Sequence, residues 1–188
     1  MTPEGYSNIA HSTYDEWKNN TIGRAFDLDG YYGAQCWDYA SLFWRNVGFP
    51  SGYPLTGNGY AYGCWTLKKV ENCLYNNNIY FTPVTDKTAI RKGDIIVMDA
   101  TVSNPAGHIT FADEDYNGSN SIYCVGQNQG GTPISAGGTP VTRNLLGLGD
   151  FLGAFRYVGW NIPPTPTNTQ RRFPWFIYYN RFRKRREI

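Results

Sequence analysis

Within residues 26–38, FDLDGYYGAQCWD, four side chains belong to types that bind metal ions or attack carbonyl carbons: Asp27, Asp29, Asp38 and Cys36. With Asp27 counted as position 1, Asp29 takes position 3, Tyr31 position 5, Gly33 position 7 and Asp38 position 12. Those positions supply calcium ligands in an EF-hand loop, position 7 through its backbone carbonyl. Carboxylate and carbonyl oxygens suit a hard cation such as Ca²⁺. The stretch departs from the standard loop in three ways. Tyr31 can offer only its carbonyl, glycine stands at position 4 rather than 6, and Asp38 is one methylene shorter than the usual Glu. A turn whose Asp residues cap the next helix explains the same pattern. Spacing alone leaves both readings open.

Cys36 stands where a helical pattern begins, and the dipole and free N–H groups of a helix start lower a thiol's pKa. A cysteine nucleophile also needs a base. The chain has two histidines, His11 in a polar N-terminal stretch and His108 at the head of Gly107-His-Ile-Thr-Phe. Taken singly, Cys36 also fits a small core residue and His108 a half-buried strand residue satisfied by a carbonyl. Order along the chain adds to them. A Cys on an early helix, a His on a later strand and the amides Gln127-Asn128 on the next strand make a Cys-His-Asn arrangement.

The elements that must position these groups follow from periodicity. Thr13-Tyr-Asp-Glu16 is a capping-box pattern and predicts a helix over about 13–20. Cys36, Ala40, Phe43, Trp44 and Val47 share helical spacing, and Gly48 and Pro50 end that segment. A third helix is expected over 65–75, with Leu67, Val70 and Leu74 on one face and Asn76-Asn77-Asn78 stopping it. Short β-branched or aromatic runs then predict strands at 79–84, 94–98, 108–112, 121–125 and 151–158, with Asn117-Gly118 as a hairpin turn. Residues 129–149 are expected to form a long glycine-rich loop. Helices first and antiparallel strands afterwards indicate an α+β domain.

With 188 residues, the chain is long enough for one domain with a real core. The N-terminus lacks the basic and apolar pattern of a secretory signal, and no run approaches the ~18 apolar residues of a membrane span. Four cysteines without a CxxC pair argue against a disulfide scaffold or a structural zinc site. The net charge of +2 is unevenly spread. After the Pro/Thr-rich linker 161–170, residues 171–188 carry seven basic residues and one acidic, interleaved with Phe173, Trp175, Phe176, Tyr178, Tyr179 and Phe182. Such a tail is either a solvated extension or an attachment segment for an anionic polymer, a membrane surface or a partner protein. Nucleic acid ranks below these because the body is acidic.

GRAFDLDGYYGAQCWDYA, RKGDIIVMD, AGHITFADEDYNGSNSIYCVGQNQGG and LGAFRYVG together resemble the CHAP domain, the cysteine- and histidine-dependent amidohydrolase/peptidase family. The likeness is to members in phage endolysins and virion-associated hydrolases of Gram-positive hosts, and it spans about residues 20–160 of a domain assigned to 1–160. It implies a papain-like α+β fold, peptidoglycan as substrate, Cys36 as nucleophile and His108 as general base. It also implies a calcium site at Asp27, Asp29, Tyr31, Gly33 and Asp38. Acyl-transfer chemistry at Cys36 would then take its oxyanion donors from the Cys36 N–H and the Gln35 side chain. Phage relatives often carry E-Q-N where this chain has Gly126-Gln127-Asn128, so the orienting role is expected of Asn128, with Gln127 as the substitute. Without a signal sequence, holin-type release from the host cytoplasm or carriage on a virion is expected. The competing expectation is a catalytically weak papain-like module serving as a structural or adsorption part of a phage tail.

Overall fold

The structure, a computed structural model, describes residues 9–48, 60–66, 74–75, 78–79, 81–135 and 137–161. The linker and basic-aromatic tail expected beyond residue 161, Cys73, and the middle of the expected third helix lie outside these residues.

Helix α1 spans Tyr14–Thr21, and Thr13 caps it by accepting the Glu16 N–H on its hydroxyl at 3.1 Å. Glu16 reaches back one residue further than the pattern predicts, to the Ser12 N–H at 2.9 Å. Helix α2 spans Cys36–Asn46 and buries Tyr39, Ala40, Leu42, Phe43 and Trp44. A short helix α3 covers Gly63–Thr66. The helix expected over 65–75 does not reach its predicted end, because Leu74–Tyr75 (β1) pairs antiparallel with Asn78–Ile79 (β2). Asn76 and Asn77, expected to stop that helix, lie outside the described residues.

Six strands follow: β3 Phe81–Val84, β4 Ile95–Met98, β5 His108–Ala112, β6 Ser121–Gly126, β7 Thr142–Gly147 and β8 Phe151–Tyr157. They form one antiparallel sheet in the order β3-β8-β4-β5-β6-β7. Two differences from the sequence reading matter. The loop expected over 129–149 contains β7, registered against β6 from Ser121↔Gly147 to Gly126↔Thr142. As an edge strand with side chains alternately half-buried and exposed, β7 lacks the apolar run that marks an inner strand. Asn117-Gly118 does turn the chain, with Asn117 Oδ1 accepting the Ser119 N–H at 2.9 Å, but inside a longer connection from β5 to β6.

The aromatic content has a packing reason. Phe43 of α2 meets Trp17 of α1, Phe111 of β5 and Phe81 of β3 at ring-centroid distances of 5.2, 5.3 and 6.3 Å. Tyr39, one turn earlier, sits 5.1 Å from Phe111. These edge-to-face contacts fix α2 across β5, with Ile109 and Phe111 supplying the sheet side of the core. The first turn of α2 is thereby held at the start of β5, where Cys36 and His108 meet.

Candidate active site

Cys36 is the first residue of α2, and its thiol hydrogen-bonds the His108 imidazole. Burial pushes the Cys36 thiol up, but the charge of His108, their hydrogen bond and the N–H groups of Ile109 and Trp37 outweigh it, and the thiol lies below its ordinary range. Burial likewise pulls His108 down, while the charge and hydrogen bond of Cys36 and a further bond to Gln129 leave it raised. Each group thus favours the charged form of the other, the setting in which an imidazole activates a thiol. Cys124 shows the contrast. Burial in β6, reinforced by the charges of Asp113 and Glu114, pushes its thiol up to about 12.

The loop before Cys36 is shaped by short turns. Asp27 Oδ1 accepts the Gly30 N–H and Asp29 Oδ1 the Tyr31 N–H, both at 2.8 Å. Gly30, Tyr32 and Gly33 follow with φ of 75°, 64° and 73°, so the exposed Tyr32 holds a left-handed conformation that disfavours a large side chain. Asp38 lies on the first turn of α2 and is buried. Its Oδ2 accepts the Gln35 N–H and its Oδ1 the Leu28 N–H, each at 3.0 Å. The helix-capping reading of Asp38 is therefore realised.

The donor set also fits a cation. One carboxylate oxygen from each of Asp27, Asp29 and Asp38 lies within 4.8 Å of the others. Burial, offset by its two N–H bonds and reinforced by Asp29 and Asp27, pushes the Asp38 carboxyl up to about 6. A buried carboxyl whose ionisation is disfavoured beside two further carboxylates is the chemistry a hard divalent ion relieves. Tyr31 and Gly33, expected to add backbone carbonyls, sit on the same loop.

The amides after β6 do not act as the sequence predicts. Gln127 is fully buried and clasps backbone, its Oε1 accepting the Phe26 N–H at 2.9 Å. Its Nε2 donates to Phe26 O and Gln35 O, both at 2.7 Å. It thus joins the two ends of the aspartate loop rather than orienting His108. Asn128 adopts φ 55° and turns its side chain away from His108, donating Nδ2 to Gln35 Oε1 at 2.7 Å. Gln35 in turn donates to Tyr32 O at 2.6 Å, using one of its two Nε2 hydrogens.

The group at His108 Nε2 is Gln129, whose Oε1 lies 3.1 Å away. The orienting position expected of Asn128 is therefore filled by its neighbour. The left-handed turn at Asn128 swings the next side chain back toward the sheet. The only sequence signal was a third amide-bearing residue in the run Gln127-Asn128-Gln129, and nothing in its spacing singled it out.

Comparison with known proteins covers most of the described chain. The CHAP domain profile matches residues 26–128. A D-alanyl-L-alanine endopeptidase of Streptococcus phage B30 is 36% identical over 121 residues, 64% of this chain and 25% of that protein. A probable autolysin PH of Staphylococcus aureus is 29% identical over 123 residues, 65% of this chain and 24% of that protein. The chain thus aligns with about a quarter of the length of each curated relative. The crystal structure of the wild-type endolysin LysIME-EF1 superposes with a TM-score of 0.56 at 22% identity, covering 77% of this chain and 64% of that one. That likeness concerns the fold, which is the papain-like α+β arrangement.

Proposed function

The chain belongs to the CHAP domain family, and from that premise we propose that it is a peptidoglycan hydrolase cleaving amide bonds of Gram-positive cell walls through Cys36 and His108. The observation that carries this reading is the hydrogen-bonded pair of a lowered thiol and a raised imidazole at the start of α2. The names of the relatives, an endopeptidase and an autolysin, supply the substrate class.

The chemistry follows from those two groups. The Cys36 thiolate adds to the amide carbonyl, and the oxygen gathers negative charge. The Cys36 N–H at the helix start, with the second Nε2 hydrogen of Gln35, would receive it. As the tetrahedral adduct collapses, the C–N bond breaks and His108 gives its proton to the leaving amine. His108, now neutral, takes a proton from water as that water attacks the thioester. The acid departs, and the thiolate and imidazolium are restored.

Asp27, Asp29 and Asp38, with the carbonyls of Tyr31 and Gly33, would hold Ca²⁺. A bound calcium would neutralise the carboxylates and stiffen the loop that presents Cys36. Asp38 couples the two functions, since it caps the helix on which the nucleophile sits. The experiment is the clearing of Gram-positive cells and the release of new amino termini from purified walls. Cys36→Ala should abolish both. Wild-type activity in that variant would remove Cys36 from the mechanism. No clearing and no released termini from the wild type would remove the hydrolase.

A further inference from the structure

Strands β4 and β5 pair along their full length, from Ile95↔Phe111 to Met98↔His108. On the other side β5 pairs with β6 through Phe111↔Val125 and Ala112↔Cys124. Toward His108 the connection passes to side chains. Thr110 Oγ1 lies 3.1 Å from Val125 O and 2.7 Å from Gln129 Oε1. The Gln129 amide fills the wedge between the strands.

Its orientation is fixed by chemistry. Nε2 donates to Cys124 O at 3.0 Å and to Thr142 O at 2.9 Å, which uses both amide hydrogens. Rotating the amide would set its oxygen against two carbonyl oxygens. Oε1 must therefore face His108 and Thr110. As an acceptor it requires a hydrogen on His108 Nε2, which leaves Nδ1 for the thiol.

Gly126 provides the space. Its φ is not in the left-handed region, so the backbone there does not require glycine. A Cβ at 126 would run into Gln129 Oε1, would lie 2.6 Å from Thr110 Oγ1, and would approach Gln129 Cδ to 3.0 Å. The side chain of residue 129 thus occupies the volume into which residue 126 would otherwise project. Either position can fill it, but not both.

We propose that Gln129 is the positioning residue of the site: entering through the space left by Gly126, it holds His108 with Nε2 protonated and Nδ1 turned to Cys36. The role builds on the proposed Cys36–His108 chemistry, but it can be measured without substrate. Iodoacetamide alkylation of Cys36 in the full chain, followed by peptide mapping, reports how well His108 supports the thiolate. Gln129→Leu should slow alkylation about tenfold, a modest part of what a well-placed acid–base partner contributes. Gly126→Gln alone should also slow it, because two side chains then contest one volume. Combined with Gln129→Gly it should recover most of the rate, a non-additive result expected of coupled positions.

Wild-type alkylation in a folded Gln129→Leu protein overturns the proposal. Should that variant not fold, ¹⁵N NMR of Cys36→Ala supplies the test. Neutral His108 should carry its hydrogen on Nε2, and a hydrogen on Nδ1 overturns the assignment. Slowed alkylation in a protein that releases nothing from cell walls would uphold Gln129 and discard the hydrolase reading.

Discussion

The Cys36 thiol and the His108 imidazole hydrogen-bond across the junction of α2 and β5, and each shifts the other in the direction that favours charge. Neither residue is charged by its surroundings alone, since burial opposes ionisation of both. The pair is the unit that titrates.

A pH dependence follows from that coupling. The Cys36 thiol is held below its ordinary value of 9.0 and His108 above its ordinary 6.5, so each keeps its charged form over a wider pH range than it would alone. Alkylation of Cys36 should continue well below the ordinary thiol range and fail as pH drops through the lowered thiol value. Wall hydrolysis should decline at high pH, when His108 loses the proton it gives the leaving amine. In Cys36→Ala burial remains and the thiolate charge is gone, so an NMR titration should find His108 shifted downward. An unchanged His108 titration would mean that the two groups are not coupled.

Metal binding should appear as stability. At calcium a hundredfold above its dissociation constant, binding to the native state alone is worth ~2.7 kcal/mol. For a domain of this size that is roughly 5–10 °C in melting temperature. EDTA-treated protein should gain that increment on adding CaCl₂. Asp29→Ala should abolish the gain yet leave the metal-free melting temperature near wild type, because Asp29 is exposed and its bond is to the local Tyr31 N–H. An equal calcium response in the variant would exclude Asp29 as a ligand.

Asp113, directly after β5, ties helix α1 to the sheet. Its carboxylate accepts Lys18 Nζ at 2.8 Å and the Tyr14 hydroxyl at 3.1 Å, both from α1, and it also pairs with Arg143 of β7. Burial raises the Asp113 carboxyl, but the bonds from Lys18 and Arg143 outweigh it and hold it below the ordinary 3.8. With the folded value depressed, the stabilisation is fully present above the ordinary carboxylate range and is lost as pH falls through the lowered value. Asp113→Ala removes the acceptor shared by the buried Tyr14 hydroxyl, Lys18 and Arg143. Lys18 keeps Asp15 and Arg143 is half-exposed, so the cost in denaturant unfolding should be about 1–3 kcal/mol, most of it from the stranded hydroxyl. The deficit relative to wild type should shrink in acid. A loss under 1 kcal/mol would show that the network is not what fastens α1.

The sequence and the structure agree where local chemistry decides. Thr13 announces the start of α1, the apolar spacing from Cys36 announces α2, and Gly107-His108 announces β5. Cys36 and His108 are legible because thiol and imidazole are rare and their elements are periodic. Gln129 is not, because its role depends on a left-handed turn at Asn128 and a missing Cβ at Gly126, neither of which leaves a periodic trace. Strand β7 escapes for a related reason: an edge strand with half-buried alternation looks like loop. Asp38 belongs to both readings offered for the aspartate stretch, capping α2 while facing Asp27 and Asp29.

Gln127 sets a timetable as well as a shape. Its bonds to Phe26 and Gln35 span sequence separations of 101 and 92 residues. Contacts that distant close late, after the entropy of the intervening chain has been lost to earlier pairing. The loop ahead of Cys36 should therefore be among the late parts to set. In stopped-flow refolding, rapid alkylation of Cys36 should emerge only with a late folding phase, and its appearance in an early phase would reverse that order. A chain still leaving the ribosome has no clasp until Gln127 is free of the exit tunnel. The reactive thiol is then a mark of a finished molecule, and synthesis proceeds without a half-built nucleophile.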